Sequence, residues 1–321
     1  DSTCIDSAAA TSAAEGLVSQ GVTAIMGADC SGVTGAILSN VAVPNGVPMI
    51  SPSATSPGLT TAKDNGLFFR TAPSDARGGE VLADITADRV SSVAITYVNT
   101  DYGVGLADVY EAAAIARGIE VTAKTAHEGD KADYSAEVGV LSAAGGDALA
   151  VIGYLDQGGN QIIQGSLDSG AFDTFVLSDG MIGDSLTDTF GSDIDGSFGS
   201  MPGSLGAGAQ KFKAYAEANG VNPSVYVGES YDAAALIVLA MAYGGSDDSA
   251  TVAANIMKVA NGPGTKIYAG ELAKGLKLAS QGFAVDYDGA TDVNFTDVGE
   301  AFGAFIEKGI SGGSFTDVAQ R

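Results

Sequence analysis

The stretch SVAITYVNTDYGVGLADVYEAAAIARGIEVTAKTAH, residues 92–127, reads as one unit of an α/β protein. Residues 92–99 are rich in β-branched and aromatic side chains, as suits a strand buried on both faces. Residues 103–118 turn to Ala, Leu, Val and Ile spaced for a helix, and Gly118 stops it. A second strand-like run, IEVTAKTAH, follows at once. Strand, helix and strand in that order require a crossover between parallel strands.

The alternation continues in both directions. Upstream, residues 7–20 read as a helix stopped by Gly21, residues 22–28 as a short strand, 32–43 as a helix with Ser31 as its cap, 47–51 as a strand and 74–89 as a helix. Downstream, 147–154 and 174–179 read as strands with a helix at 158–170 between them. The pattern dissolves into Gly, Ser and Asp from 191 to 209. Helices then resume over 207–220, 230–245, 249–261 and 270–281, and 294–309 reads as a hairpin. Continuous apolar strands interleaved with helices predict parallel sheets covered on both faces. A length of 321 residues suggests two domains. No single linker divides the chain, so it is expected to cross between two lobes more than once.

Composition narrows the function. With 15 Lys and Arg against 39 Asp and Glu, the formal net charge is −24. Such a surface repels phosphate backbones, which argues against nucleic acid, and it disfavours anionic membranes. The 45% apolar and 17% charged content fits a globular core. Cys4 and Cys30 are either two unrelated buried thiols or one disulfide, and two cysteines alone do not decide between them.

Several chemistries lack their parts. His127 is the single histidine, so a Ser-His-Asp or Cys-His site would have to use it. It lies in a charged stretch, and a surface position is expected. One histidine and two cysteines make no zinc set. No GxxxxGK[ST] occurs, GSLGAG (203–208) is not a dinucleotide fingerprint, and DYDGATD (286–292) is expected to be a turn rather than a calcium loop. An enzyme is therefore not expected. One that used Asp101 or Asp179 as a base is the reading that these absences leave open.

In open α/β sheets, ligands bind beyond the carboxyl ends of strands. Those ends offer Ser31 after the first strand and Ser53, Ala54 and Thr55 after the second, with Pro57 placed for the first turn of a helix. Asp101 and Tyr102, then Tyr154, then Asp179 follow the later strands. Each has a plain alternative: Ser31 and Thr55 as helix caps, the tyrosines as edge packing, Asp179 as a surface cap. Taken together, hydroxyls and N–H groups suit a carboxylate, an Asp suits an ammonium, and tyrosines supply apolar walls with polar tips. That combination fits a free α-amino acid.

ISPSATSPGLT (50–60), FRTAPSD (69–75), NTDYGVGL (99–106), GYLDQGG (153–159), FVLSDG (175–180) and ESYDAA (229–234), in this order along the chain, resemble the branched-chain amino-acid binding proteins, periplasmic solute binders of type I that serve ABC importers. The resemblance implies a two-lobed type I fold, each lobe a mainly parallel sheet flanked by helices, with a hinge of three crossings. Lobe 1 would hold residues 1–73 and 203–290, and lobe 2 residues 74–202 and 291–321. It implies a Cys4–Cys30 disulfide, and it places ligand contacts at Ser31, Ser53, Ala54, Thr55, Tyr102, Tyr154, Asp179 and Tyr226. At Asp179 many amino-acid binders carry the longer Glu; a water or a tighter closure would make up the missing methylene.

The implied function is capture of a small amino acid, branched-chain or hydrophobic, by hinge closure and its delivery to a membrane permease. The protein would work as a periplasmic monomer after removal of a signal peptide, with no cofactor and no metal. A ligand-sensing module of the same fold is the alternative. Family members begin with a further strand and helix before the first cysteine, so about 50 more residues are expected upstream, the length of a βα unit and its return.

Overall fold

A computed structural model describes residues 4–321. The chain divides into two compact units. One comprises the chain through Ser74 together with Gly203–Ala304; the other comprises Asp75–Pro202 and Phe305–Arg321. The backbone therefore passes between them three times, after Ser74, Pro202 and Ala304. Among the described residues, no helix is long and apolar enough to cross a membrane.

The first unit has a three-stranded parallel sheet of Ile25–Met26, Met49–Ser51 and Phe68–Arg70. A separate parallel pair joins Thr265–Tyr268 to Val285–Gly289. The long apolar helix Val227–Gly244 supplies the core, where Ala233, Leu236, Leu239 and Ala240 pack with Ile50, Phe69, Ile256, Tyr287 and Phe295. Residues 291–304, expected with the second lobe, belong here. Phe295 and Ala301 enter this core, and Arg70 and Glu300 form a parallel bridge.

The second unit is built on one seven-stranded sheet. Its order is Ser314–Gln320, Phe305–Ser311, Phe198–Pro202, Phe175–Leu177, Ala148–Ile152, Ser92–Val98 and Glu120–His127. The last five run parallel, and the first two are an antiparallel addition. The hairpin expected at 294–309 is thus displaced toward the C-terminus: Phe305–Ser311 pairs with Ser314–Gln320 around Gly312 and Gly313, while 295 and 301 form only an isolated bridge. The strands Phe198–Pro202, Thr265–Tyr268 and Val285–Gly289 escaped the sequence reading because Gly, Lys and Asp interrupt their apolar pattern.

Strand Ser92–Val98 lies between Glu120–His127 and Ala148–Ile152. The chain leaves it in one direction for the next strand and returns on its other side. The boundary between Ser92–Val98 and Ala148–Ile152 is therefore the switch point of the sheet, where the loops after both strands diverge and leave a crevice. Tyr102 and Tyr154 follow these two strands.

Candidate functional site

In the first unit the loop after Met49–Ser51 is held on several sides. The Ser51 hydroxyl donates to the Ala28 carbonyl (2.5 Å) and accepts from the Ala54 N–H (3.0 Å). The Ser53 hydroxyl donates to the Asp29 carbonyl (2.8 Å). Ser31 was open to reading as a helix cap, but Cys30 occupies the cap position with extended backbone and Ser31 is the first helical residue. Its buried hydroxyl accepts from the Ser56 N–H (3.0 Å) and so joins the two loops.

Thr55 is not a cap either. Ser56 caps the 3-10 turn Pro57–Thr61 through a bond from the Gly58 N–H (3.3 Å), with Pro57 at the first position. Thr55 is 1% exposed, and among the described residues its hydroxyl oxygen has no hydrogen-bond partner. A buried hydroxyl without a partner costs roughly 1–3 kcal/mol and calls for an explanation. The helix that opens at Ser31 runs on through a π turn at Leu38–Ala42 to Asn45, and the 3-10 turn spans five residues.

In the second unit three expected residues meet at the switch point. The Tyr102 and Tyr154 rings stack with centroids 5.0 Å apart. The Tyr102 phenol donates to Asp179 Oδ1 (2.6 Å), lies 3.0 Å from the Ser178 hydroxyl, and accepts from the Gly180 N–H (3.3 Å). Burial first, and then the negative charges of Asp179 and Asp75, push the Tyr102 phenol well above its usual range, so it stays a neutral donor. Asp179 is 7% exposed, which rules out the surface-cap reading. Asp75, Ser178, Asp179 and Ser200 share the lining of a cavity of about 10 Å³, space for a single water.

A sequence-family model described as periplasmic binding protein matches residues 5–271. The chain belongs to the periplasmic binding protein family. The binding protein is 30% identical over 286 residues to the chemotactic signal transduction system substrate-binding protein BasB of Halobacterium salinarum. That alignment covers 84% of this chain and 64% of BasB, so the chain spans less than two thirds of that relative. The fold matches the leucine-binding protein LivK of Thermotoga maritima with a TM-score of 0.81, covering 98% of this chain and 85% of LivK at 22% identity. It matches LivJ of Streptococcus pneumoniae, solved in complex with isoleucine, with a TM-score of 0.77, covering 99% and 84% at 21% identity. The fold is thus that of the type I binding proteins, and the family and its solved neighbours are binding proteins, not enzymes. Cys4 and Cys30 form a disulfide with Cα atoms 5.3 Å apart.

Tyr226 of the binding protein precedes the helix Val227–Gly244 with φ 62° and ψ 3°. Left-handed backbone is costly for a bulky side chain, by about 1–2 kcal/mol, and such outliers concentrate at functional positions. Sequence reading missed Arg70, which is fully buried and donates from Nη1 to the Ala54 and Ser56 carbonyls (3.0 and 2.9 Å). The available signal was a charge closing the apolar strand FFR. It also misplaced His127. That residue ends the strand Glu120–His127 at 1% exposure, 2.9 Å from the Thr96 hydroxyl and edge-on to Tyr134. Its charged neighbours face outward while its own strand position faces in. An open groove of about 760 Å³ between the helices Ser135–Ala144 and Asn160–Ser169 contains none of the candidate residues.

Proposed function

We propose that this binding protein captures a small α-amino acid, branched-chain or hydrophobic, outside the cytoplasm and delivers it unaltered to the permease of an ABC importer. The observation that carries the reading is the buried Thr55 hydroxyl without a partner among the described residues, in the loop whose next residue, Ser56, donates its N–H to the Ser31 hydroxyl. A solute carboxylate supplies the acceptor that this hydroxyl lacks. Ser53 contributes its backbone carbonyl from the same loop, whereas the Ala54 N–H and carbonyl already bond to Ser51 and Arg70. Asp179, oriented by the Tyr102 phenol, receives the ammonium; a carboxylate oxygen accepts more than one hydrogen bond. The stacked Tyr102 and Tyr154 rings and Tyr226 supply apolar surface for the side chain.

In this reading the carboxylate is held first by the first unit, and hinge motion at the three crossings then brings Asp179 to the ammonium. Exclusion of water strengthens that ion pair. The protein acts as a monomer. The Cys4–Cys30 disulfide supports a location in an oxidising compartment such as the periplasm. The likeness to BasB, a substrate-binding protein of a chemotactic signal transduction system, favours one second reading, in which the same capture is reported to a chemotaxis receptor instead of a permease.

A thermal-shift screen with L-leucine, L-isoleucine, L-valine and benzoate tests the ligand class. Stabilisation by the amino acids, with the solute recovered unchanged from a stoichiometric complex, is expected. Benzoate lacks the ammonium, so stabilisation by benzoate alone would reject the role given to Asp179. Reconstituted uptake through a permease, against a receptor response without uptake, separates the two readings.

A further inference from the structure

Arg70 lies wholly inside the first unit and does more than fill its core. Its strand, Phe68–Arg70, pairs with Met49–Ser51 so that Arg70 sits beside Ser51, where the Thr55 loop begins. From there Nη1 reaches the carbonyls of Ala54 and Ser56, one on either side of Thr55. Nη2 donates to the Thr60 hydroxyl (2.8 Å) and to Glu300 Oε2 (2.6 Å), and Nε donates to the same carboxylate oxygen (3.2 Å). The Thr60 hydroxyl donates to that oxygen too (2.9 Å). Glu300 is brought there by the backbone, through Arg70 N–H to the Gly299 carbonyl and Ala301 N–H to the Arg70 carbonyl, both 3.0 Å.

The geometry has a directional consequence. In a trans peptide the C=O and the N–H point opposite ways. A guanidinium that holds the Ala54 carbonyl therefore aims the Thr55 N–H away from itself. On the other side of the same residue the Thr55–Ser56 peptide is held by Ser31, which accepts from the Ser56 N–H, and the grip of Arg70 on the Ser56 carbonyl fixes the next peptide along. The rigid five-donor fork and the Ser31 hydroxyl together set the peptide planes around Thr55. Lysine is a point charge on a flexible stem and cannot hold two carbonyls and a carboxylate in one plane.

We propose that Arg70, neutralised by Glu300, is a positioning residue for solute capture: it aims the Thr55 N–H and hydroxyl at the solute carboxylate. The proposal rests on the function given above. Two variants test it, Arg70→Lys and the double variant Arg70→Met/Glu300→Leu, which removes both charges of the buried pair and so leaves neither partner stranded. Two measurements are made on each: the dissociation constant for L-leucine, and amide hydrogen exchange at Thr55, Ser56 and Gly58, with the helix Val227–Gly244 of the same unit as the internal control. L-leucine binding weaker by ~10-fold or more, with faster exchange confined to the three loop amides and an unchanged control helix, is the expected result. Unaltered loop exchange in a variant with an intact control helix would overturn the proposal, as would L-leucine affinity within about twofold of the unaltered protein, a change of only ~0.4 kcal/mol. If the unaltered protein does not bind L-leucine, the reading of function fails for that solute, and the exchange measurement still decides whether Arg70 orders the loop.

Discussion

Thr55 and Asp179 are asked to hold opposite ends of one small molecule, and each can be removed singly. Thr55→Ala and Asp179→Ala are each expected to weaken amino-acid binding at least ~10-fold, about 1.4 kcal/mol, as read by calorimetry on the folded variants. Retention of full affinity by both would place the site elsewhere. Tyr226 invites a different substitution. Glycine adopts its left-handed backbone at no steric cost, so Tyr226→Gly is expected to hold or raise the melting temperature while weakening binding of L-leucine. A fall in stability with unchanged binding would mean that the ring packs without touching solute.

Single glycines set the spacing of the elements that carry these residues. Gly103 stands in the first turn of the helix Asp101–Ala116, and a methyl group there would be driven into the Val98 backbone carbonyl. A Cβ at Gly180 would collide with the Gly153 carbonyl and come within 3.0 Å of the Tyr154 ring and 3.2 Å of the Tyr102 hydroxyl. Gly180→Ala is therefore expected to separate the stacked tyrosines and to lower L-leucine affinity more than it lowers the melting temperature. The disulfide acts at the same scale, because Cys30 is the cap of the helix that opens with Ser31. With the two cysteines 26 positions apart, reduction is expected to cost ~3–4 kcal/mol on the chain-entropy account. Urea unfolding with and without reductant measures it.

Across the whole molecule, three buried groups shape the pH dependence of stability. Burial, with a further push from Asp232, raises the Glu229 carboxyl to about 8, and burial raises Asp232 to about 6 against hydrogen bonds from Ala290, Thr291 and Tyr287. Both favour the neutral form when folded. Their contribution is complete in acid, below the ordinary carboxylate range, and is lost as pH rises through about 6 and then about 8. His127 works in the other direction: burial lowers it to about 4, so its contribution is complete above its ordinary value near 6.5 and is lost as pH falls toward 4. Stability is expected to decline from mildly acidic to mildly alkaline pH. Glu229→Gln is expected to flatten that decline by up to ~1.4 kcal/mol per pH unit, read from unfolding curves across the range. An unchanged slope would show that Glu229 is ionised in the folded protein.

Residues 92–127 were enough to establish a parallel α/β architecture, because a strand buried on both faces and an amphipathic helix each leave a periodicity that survives without neighbours. The order of Ser31, Thr55, Tyr102, Tyr154 and Asp179 at strand ends was legible for the same reason. The strand Val285–Gly289 was not, since its Asp and Gly residues look like a turn until Thr265–Tyr268 is laid beside it. Nor was the part played by Arg70, whose partner Glu300 lies 230 positions away. Nor was the burial of His127, which depends on Thr96 and Tyr134 closing over it. Local chain chemistry dictates which backbone elements form and which side chains stand at their ends. Which of those side chains meet, and which are cut off from water, depends on contacts between residues far apart in the chain, and only the tertiary structure decided that.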